Sequence, residues 1–291
     1  MTETPRGLLY ALGAFGLWGL SPVYWRLLSH VPAHEILLHR VAWSALFLAF
    51  VTRGRWNELR RAAERPRTAA TLAATTMLIG ANWYLYIKAI EDLRVLDSSL
   101  GYYINPLVSV ALGVVVLGER MRRLQALAAV LALAGVLWLV KAHGHLPWLS
   151  LALAGTFASY GLLRKTAHVD ALVGLTLETF LLAVPSLGAL LWLAARGHAP
   201  PDARTWLLLA GGAVVTAVPL LWFVEAARRL DLKTMGFLQF SSPTLQFLIA
   251  VFAFGEPLSR ERLLSFAMIW AAVALYCADA ALTRSRTKAL K

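Results

Sequence analysis

Apolar runs of about 20 residues recur from one end of this chain to the other, and nothing else in the sequence constrains its fold as strongly. Wound as a helix rising about 1.5 Å per residue, such a run crosses a hydrocarbon core of roughly 30 Å. Inside a bilayer every backbone polar group must be satisfied internally, which leaves only helices or a closed barrel. Barrel strands would alternate in polarity over about ten residues. Continuous stretches such as 124–139 do not alternate. An all-α integral membrane fold is therefore expected, with ten spans at 7–28, 34–51, 69–90, 95–117, 124–141, 147–163, 171–195, 205–227, 232–254 and 263–282. Charged residues make up only 15% of the chain. A water-facing surface uses roughly a quarter.

The net charge of +12 raises the question of nucleic acid, and its placement answers it. The cations sit in short segments between apolar runs, as the positive-inside rule expects, and no basic domain stands apart to grip phosphates. The N-terminus, 52–68, 118–123, 164–170, 228–233 and 283–291 together hold 19 Lys and Arg, against 6 in the connections on the other side. Both termini are thus expected on the cytoplasmic side, which requires an even number of spans. The stretch 52–68, with six arginines, reads as a short amphipathic piece lying on the membrane surface. Only Arg6 precedes the first apolar run, and no A-x-A-like site follows it, so that run reads as a permanent span.

Sliding the sequence by 137 residues lays Pro106 on Pro243, Gly118 on Gly255 and Glu119 on Glu256 without a gap. A polar cluster precedes each proline: Tyr102, Tyr103 and Asn105 in one half, Gln239, Ser241 and Ser242 in the other. The chain then divides into repeats at 1–141 and 142–291. Five spans per half is odd, so the second copy would enter the membrane upside down, an arrangement characteristic of secondary transporters. Coincidence of Pro and Gly-Glu at helix ends is the alternative.

Longer motifs sharpen this. Leu17-Trp18-Gly19, Ser21-Pro22-Val23-Tyr24, Glu35-Ile36-Leu37-Leu38-His39-Arg40-Val41, Ile79-Gly80-Ala81-Asn82-Trp83 and Ser99-Leu100-Gly101-Tyr102-Tyr103-Ile104-Asn105-Pro106-Leu107 run through the first half. Leu117-Gly118-Glu119-Arg120 closes it, and Tyr160-Gly161-Leu162, Pro219-Leu220, Gly236-Phe237, Gln239 and Pro243-Thr244 follow in the second. In these motifs the whole chain resembles the RarD subgroup of EamA-type permeases in the drug/metabolite transporter superfamily. The resemblance implies two inverted five-helix repeats around a central cavity, a bacterial inner-membrane location, and export or exchange of small metabolites or drugs. It names no substrate.

A charge inside a bilayer is costly unless paired or hydrated, so each one is a candidate for function. Glu35 and His39 share a face of span two beside Arg40, Glu178 occupies the pseudo-symmetric position to Arg40 in span seven, and Lys88 matches Glu225 at the 137 offset. Opposite charges so placed suit pairing across the interface, or gating. For Lys88 and Glu225, snorkelling to the headgroups is the alternative. An unperturbed histidine titrates near neutral pH, so His39 is a candidate for coupling to protons; a histidine satisfied by its own helix is the bland reading. For the cavity wall the expected residues are Trp18, Tyr24, Asn82, Trp83, Tyr86, Tyr102, Tyr103, Asn105, Tyr160, Trp222, Gln239 and Ser242, with Pro106 and Pro243 as helix kinks that free a carbonyl near mid-membrane. Interfacial anchoring or helix packing is the alternative for any one Trp or Tyr. The sequence has no phosphate-binding loop, no H-E-x-x-H, no G-x-S-x-G and a single cysteine, Cys277, so neither enzyme activity nor a metal or cofactor is expected. The expected partners are a small-molecule substrate and the lipid bilayer.

Overall fold

A computed structural model describes residues 3–91, 95–143, 148–198, 200, 202–255 and 260–289, and among these there are helices and turns but no strand. In chain order the helices are α1 (Glu3–Arg26), α2 (Ala33–Val51), α3 (Trp56–Glu64), α4 (Pro66–Glu91), α5 (Val95–Val115), α6 (Arg123–His143) and α7 (Trp148–Thr166). Then come α8 (Ala171–Ala195), α9 (Ala203–Arg229), α10 (Leu232–Gln239), α11 (Ser241–Leu248), a π-helical turn at Ile249–Ala253, and α12 (Arg260–Ala289). Seven stretches among the described residues are long and apolar enough to cross a membrane: those of α1, α2, α6, α8, α9, α10 to the π turn, and α12. Of the remaining long helices, α4 and α7 are less apolar and carry Asn82 and Thr156, and α5 contains a shorter apolar stretch, Leu100–Val115, that includes Asn105. They pack on one another and on neighbours, and on the packed faces a helix need not be apolar.

The outer surface has the opposite character. Met77, Val115, Val184, Leu191, Leu207 and Phe252 are each at least 70% exposed, a distribution suited to lipid and not to water. The described part of the connection between α2 and α4 folds as α3, whose Leu59 and Ala62 are buried against Leu72, Val169 and Val173. Arg55, just before α3, donates to Glu58 and, at 3.0 Å, to Asp170, the residue that caps α8 by accepting from the Leu172 and Val173 amides. Partial burial pushes the Asp170 carboxyl up, but the Val173 amide and the Arg55 guanidinium outweigh it and hold the group below its ordinary range.

Helices of the first half pack mainly on helices of the second: α1 on α9, α2 on α8 and α9, α4 on α7 and α8, α5 on α7 and α10, α6 on α12. Small residues let these backbones approach. A Cβ at Gly236 would stand 2.5 Å from the Pro106 carbonyl oxygen, and one at Gly13 2.7 Å from the Trp222 ring.

The span expected at 232–254 is not one helix. Pro243 has no N–H to offer the Gln239 carbonyl, and the chain parts nearby, at Phe240, between α10 and α11. By contrast α5 runs on through Pro106. Gly118 and Gly255, matched by the 137-residue offset, share a left-handed backbone, with φ of 66° and 69°. Glu119 then reaches across to α10, where its carboxylate accepts from the Leu232 amide at 2.6 Å and the Lys233 amide at 2.9 Å. Those amides open a helix whose own cap residue, Asp231, makes no side-chain capping bond to them. The equivalent Glu256 lies outside the described residues.

Candidate functional site

A cavity of about 400 Å³ lies where α1, α2, α4, α5, α7, α9 and the α10/α11 break meet. It takes residues from the last turns of α1 (Pro22, Trp25), the first turn of α2 (Ala33, Ile36), the C-terminal part of α4 (Tyr86) and the N-terminal part of α5 (Gly101, Tyr102). It therefore reaches that end of the bundle. At its inner end the Phe15, Trp18 and Phe157 rings form a floor. Beneath them lie Phe223, with its ring centre 5.1 Å from that of Phe157, and Tyr160, stacked on Phe223 at 6.3 Å. Trp18 meets Phe157 edge-on at 5.6 Å. Past this plug, Lys165 donates to the carbonyls of Ala227, at 3.0 Å, and Leu230, tying α7 to the end of α9. The Glu119 cap lies in the same region, since the Leu232 and Lys233 amides it accepts from closely follow Leu230 in sequence.

Of the expected wall residues, Trp18, Asn82, Trp83, Tyr86, Tyr102, Asn105, Gln239 and Ser242 line the cavity, and so do Arg40 and Pro243. Asn82 commits its amide N–H to α7, donating to the Leu153 carbonyl at 2.8 Å and the Thr156 hydroxyl at 2.9 Å. Arg40 donates from Nε to the Thr216 hydroxyl at 2.9 Å, and its guanidinium carbon stands 4.7 Å from the centre of the Trp25 ring and 5.7 Å from that of Trp83.

The other expected residues have different surroundings. Tyr24 donates to the Leu208 carbonyl and joins α1 to α9. Tyr103 packs edge-on against Phe266 of α12, and Trp222 fills the notch at Gly13. Glu35 lies 3.5 Å from His198, and His39 is buried edge-on against Trp206. Glu225 pairs with Arg229 one turn on, while Lys88 is exposed in the last turn of α4. The carbonyl of Pro106 faces Gly236.

Arg40 and Glu178 do not meet. Glu178 is buried behind the plug, where Thr75 donates to it at 2.5 Å, Tyr160 donates at 3.3 Å, and Arg164 stands 3.6 Å away. Arg164 is itself fully buried, donates to the Ala171 carbonyl at 3.1 Å, and fills the space where Gly174 lacks a side chain. Sequence reasoning placed Arg164 among the loop cations, because it sits in the last turn of α7 beside Lys165. Trp25, Phe157, Phe223 and Thr216 were also missed, since each reads as one more residue of an apolar run.

A helical membrane bundle with a polar and aromatic cavity, reaching one end and floored by aromatic rings, is the architecture of a small-molecule transporter. Residues 5–141 match the EamA-like transporter family. The chain is 43% identical to Protein RarD of Escherichia coli K12 over 98% of both chains, and 43% identical to Protein RarD of Streptomyces exfoliatus over 99% of this chain and 93% of that one. An uncharacterized transporter of Pseudomonas aeruginosa shares 46% identity over 94% of each chain. A crystal structure only 19% identical in sequence has the same fold, with a TM-score of 0.74 over 94% of this chain and 97% of that one. This chain belongs to the RarD group of EamA-like transporters, multi-pass membrane proteins of bacteria.

Proposed function

We propose that this protein is a secondary permease of the bacterial inner membrane that exports or exchanges small organic solutes by alternating access. In this reading ten spans form two inverted repeats, 1–141 and 142–291, with both termini cytoplasmic. The observation that carries it is the cavity: it reaches one end of the bundle, stops at the Phe15–Trp18–Phe157 floor, and has tied helix ends beyond that floor at Glu119 and Lys165. Under the positive-inside count the tied end is cytoplasmic, so this conformation is the outward-open one. Rocking the repeats would release those ties and part the plug.

A specific observation favours exchange or facilitated diffusion over proton coupling. No carboxylate and no histidine is among the described residues lining the cavity. His39 faces Trp206, and Glu178 is committed to Arg164, Thr75 and Tyr160. Purified protein in proteoliposomes tests both points. Solute movement that persists with a protonophore supports the permease without proton coupling; movement abolished by the protonophore supports coupling; no movement of any member of a broad metabolite panel by folded protein overturns the permease reading.

A further inference from the structure

Among the described residues lining the cavity, one is charged: Arg40. A guanidinium offers five N–H donors. The Nε donor of Arg40 goes to Thr216, and no acidic side chain among the described residues stands within ion-pair distance of it. Trp25 and Trp83 flank it, which fixes its plane and shields it from water without neutralising it. An uncompensated charge in a low-dielectric wall is costly, and its natural complement is an opposite charge brought by the ligand.

The other walls add two requirements. Asn105 is buried, it lines the cavity, and its Oδ1 atom has no hydrogen-bond partner, so it calls for a donor on the ligand. The remaining wall mixes aliphatic and polar side chains with the rings of Trp18, Trp83, Tyr86, Tyr102 and Phe157, which offer faces or edges. Aromatic faces alone would welcome cations, but a fixed positive charge among them repels a second one.

Resting on the permease reading above, we propose that the substrates are organic monocarboxylates with a flat apolar body, the carboxylate held by the fork of Arg40 and a donor group held by Asn105. The planar fork matches a carboxylate in a bidentate pair. One guanidinium balances one negative charge, whereas the second charge of a phosphate monoester would meet no second cation among the described lining residues.

The test uses matched triplets that differ only in charge: indole-3-acetate, indole-3-acetamide and tryptamine, with phenyl and naphthyl counterparts. Proteoliposomes are loaded with all of them plus neutral nucleosides and polyamines, and efflux is followed by mass spectrometry for the wild type, Arg40→Gln and Arg40→Lys. We expect the carboxylates to leave at least tenfold faster than their amides, with the amines retained. Arg40→Gln should erase that preference, Arg40→Lys should keep part of it, and both variants should melt as the wild type does. Efflux of amides, amines or neutral solutes in preference to carboxylates overturns the anion proposal while the permease reading stands. A carboxylate preference unchanged in Arg40→Gln also overturns the assignment. No efflux of any solute from folded protein counts against the permease reading itself, and the proposal falls with it.

Discussion

The carboxylate of Glu119, in the turn after α5, accepts the backbone N–H of Leu232, the first residue of α10, at 2.6 Å. Its second oxygen accepts from Lys233, so a residue of the first half caps a helix of the second. Losing both bonds leaves two helix-opening amides without partners, at a cost of about 1–3 kcal/mol. Glu119→Ala should lower the melting temperature. In a Cys277→Ser background it should also speed maleimide labelling of Phe157→Cys from the side on which Glu119 lies. Unchanged labelling would show that this tie does not hold that side closed.

Glu178 and Arg164 should behave as a buried structural pair. Removing one partner strands the other charge, at about 3–5 kcal/mol, whereas replacing both by apolar residues of similar volume is close to neutral. Arg164→Met alone should sharply reduce folded yield, and Arg164→Met with Glu178→Leu should recover most of it together with transport. Folded but inactive double mutant would return Glu178 to the transport machinery.

Asn105→Ala should leave folding intact, since its Oδ1 makes no hydrogen bond within the protein, yet weaken substrate binding. Loss of one bond to an uncharged group is worth about 0.5–1.5 kcal/mol, a severalfold rise in apparent KM. An unaltered KM for every transported solute would remove Asn105 from the recognition surface.

Acid should loosen α3. The Asp170 carboxyl is held below its ordinary range in the folded protein, so its contribution is present above the unfolded value and is lost as pH falls through the folded one. For a pair this exposed the effect is small, about 0.2–1 kcal/mol. Hydrogen exchange at Trp56–Glu64, corrected for intrinsic rates, should accelerate as pH falls below about 4, the ordinary aspartate value. It should be faster and flatter with pH in Asp170→Asn. A profile identical in the two proteins would exclude this ion pair as the cause.

What the sequence revealed follows from which forces act locally. Helix positions were legible because hydropathy is summed over about 20 neighbours, and the Gly118/Gly255 turns were legible because a left-handed residue is nearly always glycine. Arg40 stood out as a charge deep in a span, and it lines the cavity. The partner of Glu178 was not legible, because Arg164 is 14 residues away on another helix, a separation with no periodic signature. The plug was hidden for a different reason: Phe15, Phe157 and Phe223 look like any lipid-facing phenylalanine until three helices converge.

The interleaving of the halves also bears on how the protein is made. When the ribosome has delivered helices α1 to α6, Trp222 has not yet arrived to fill the notch at Gly13, nor Thr216 to engage Arg40. The early half must wait in lipid with its cavity-forming faces bare, and its native packing is supplied by the segment synthesised last. A chain released after residue 141 is thus a half-zipped seam with its polar teeth in hydrocarbon, the kind of unpartnered transmembrane segment that membrane proteases remove.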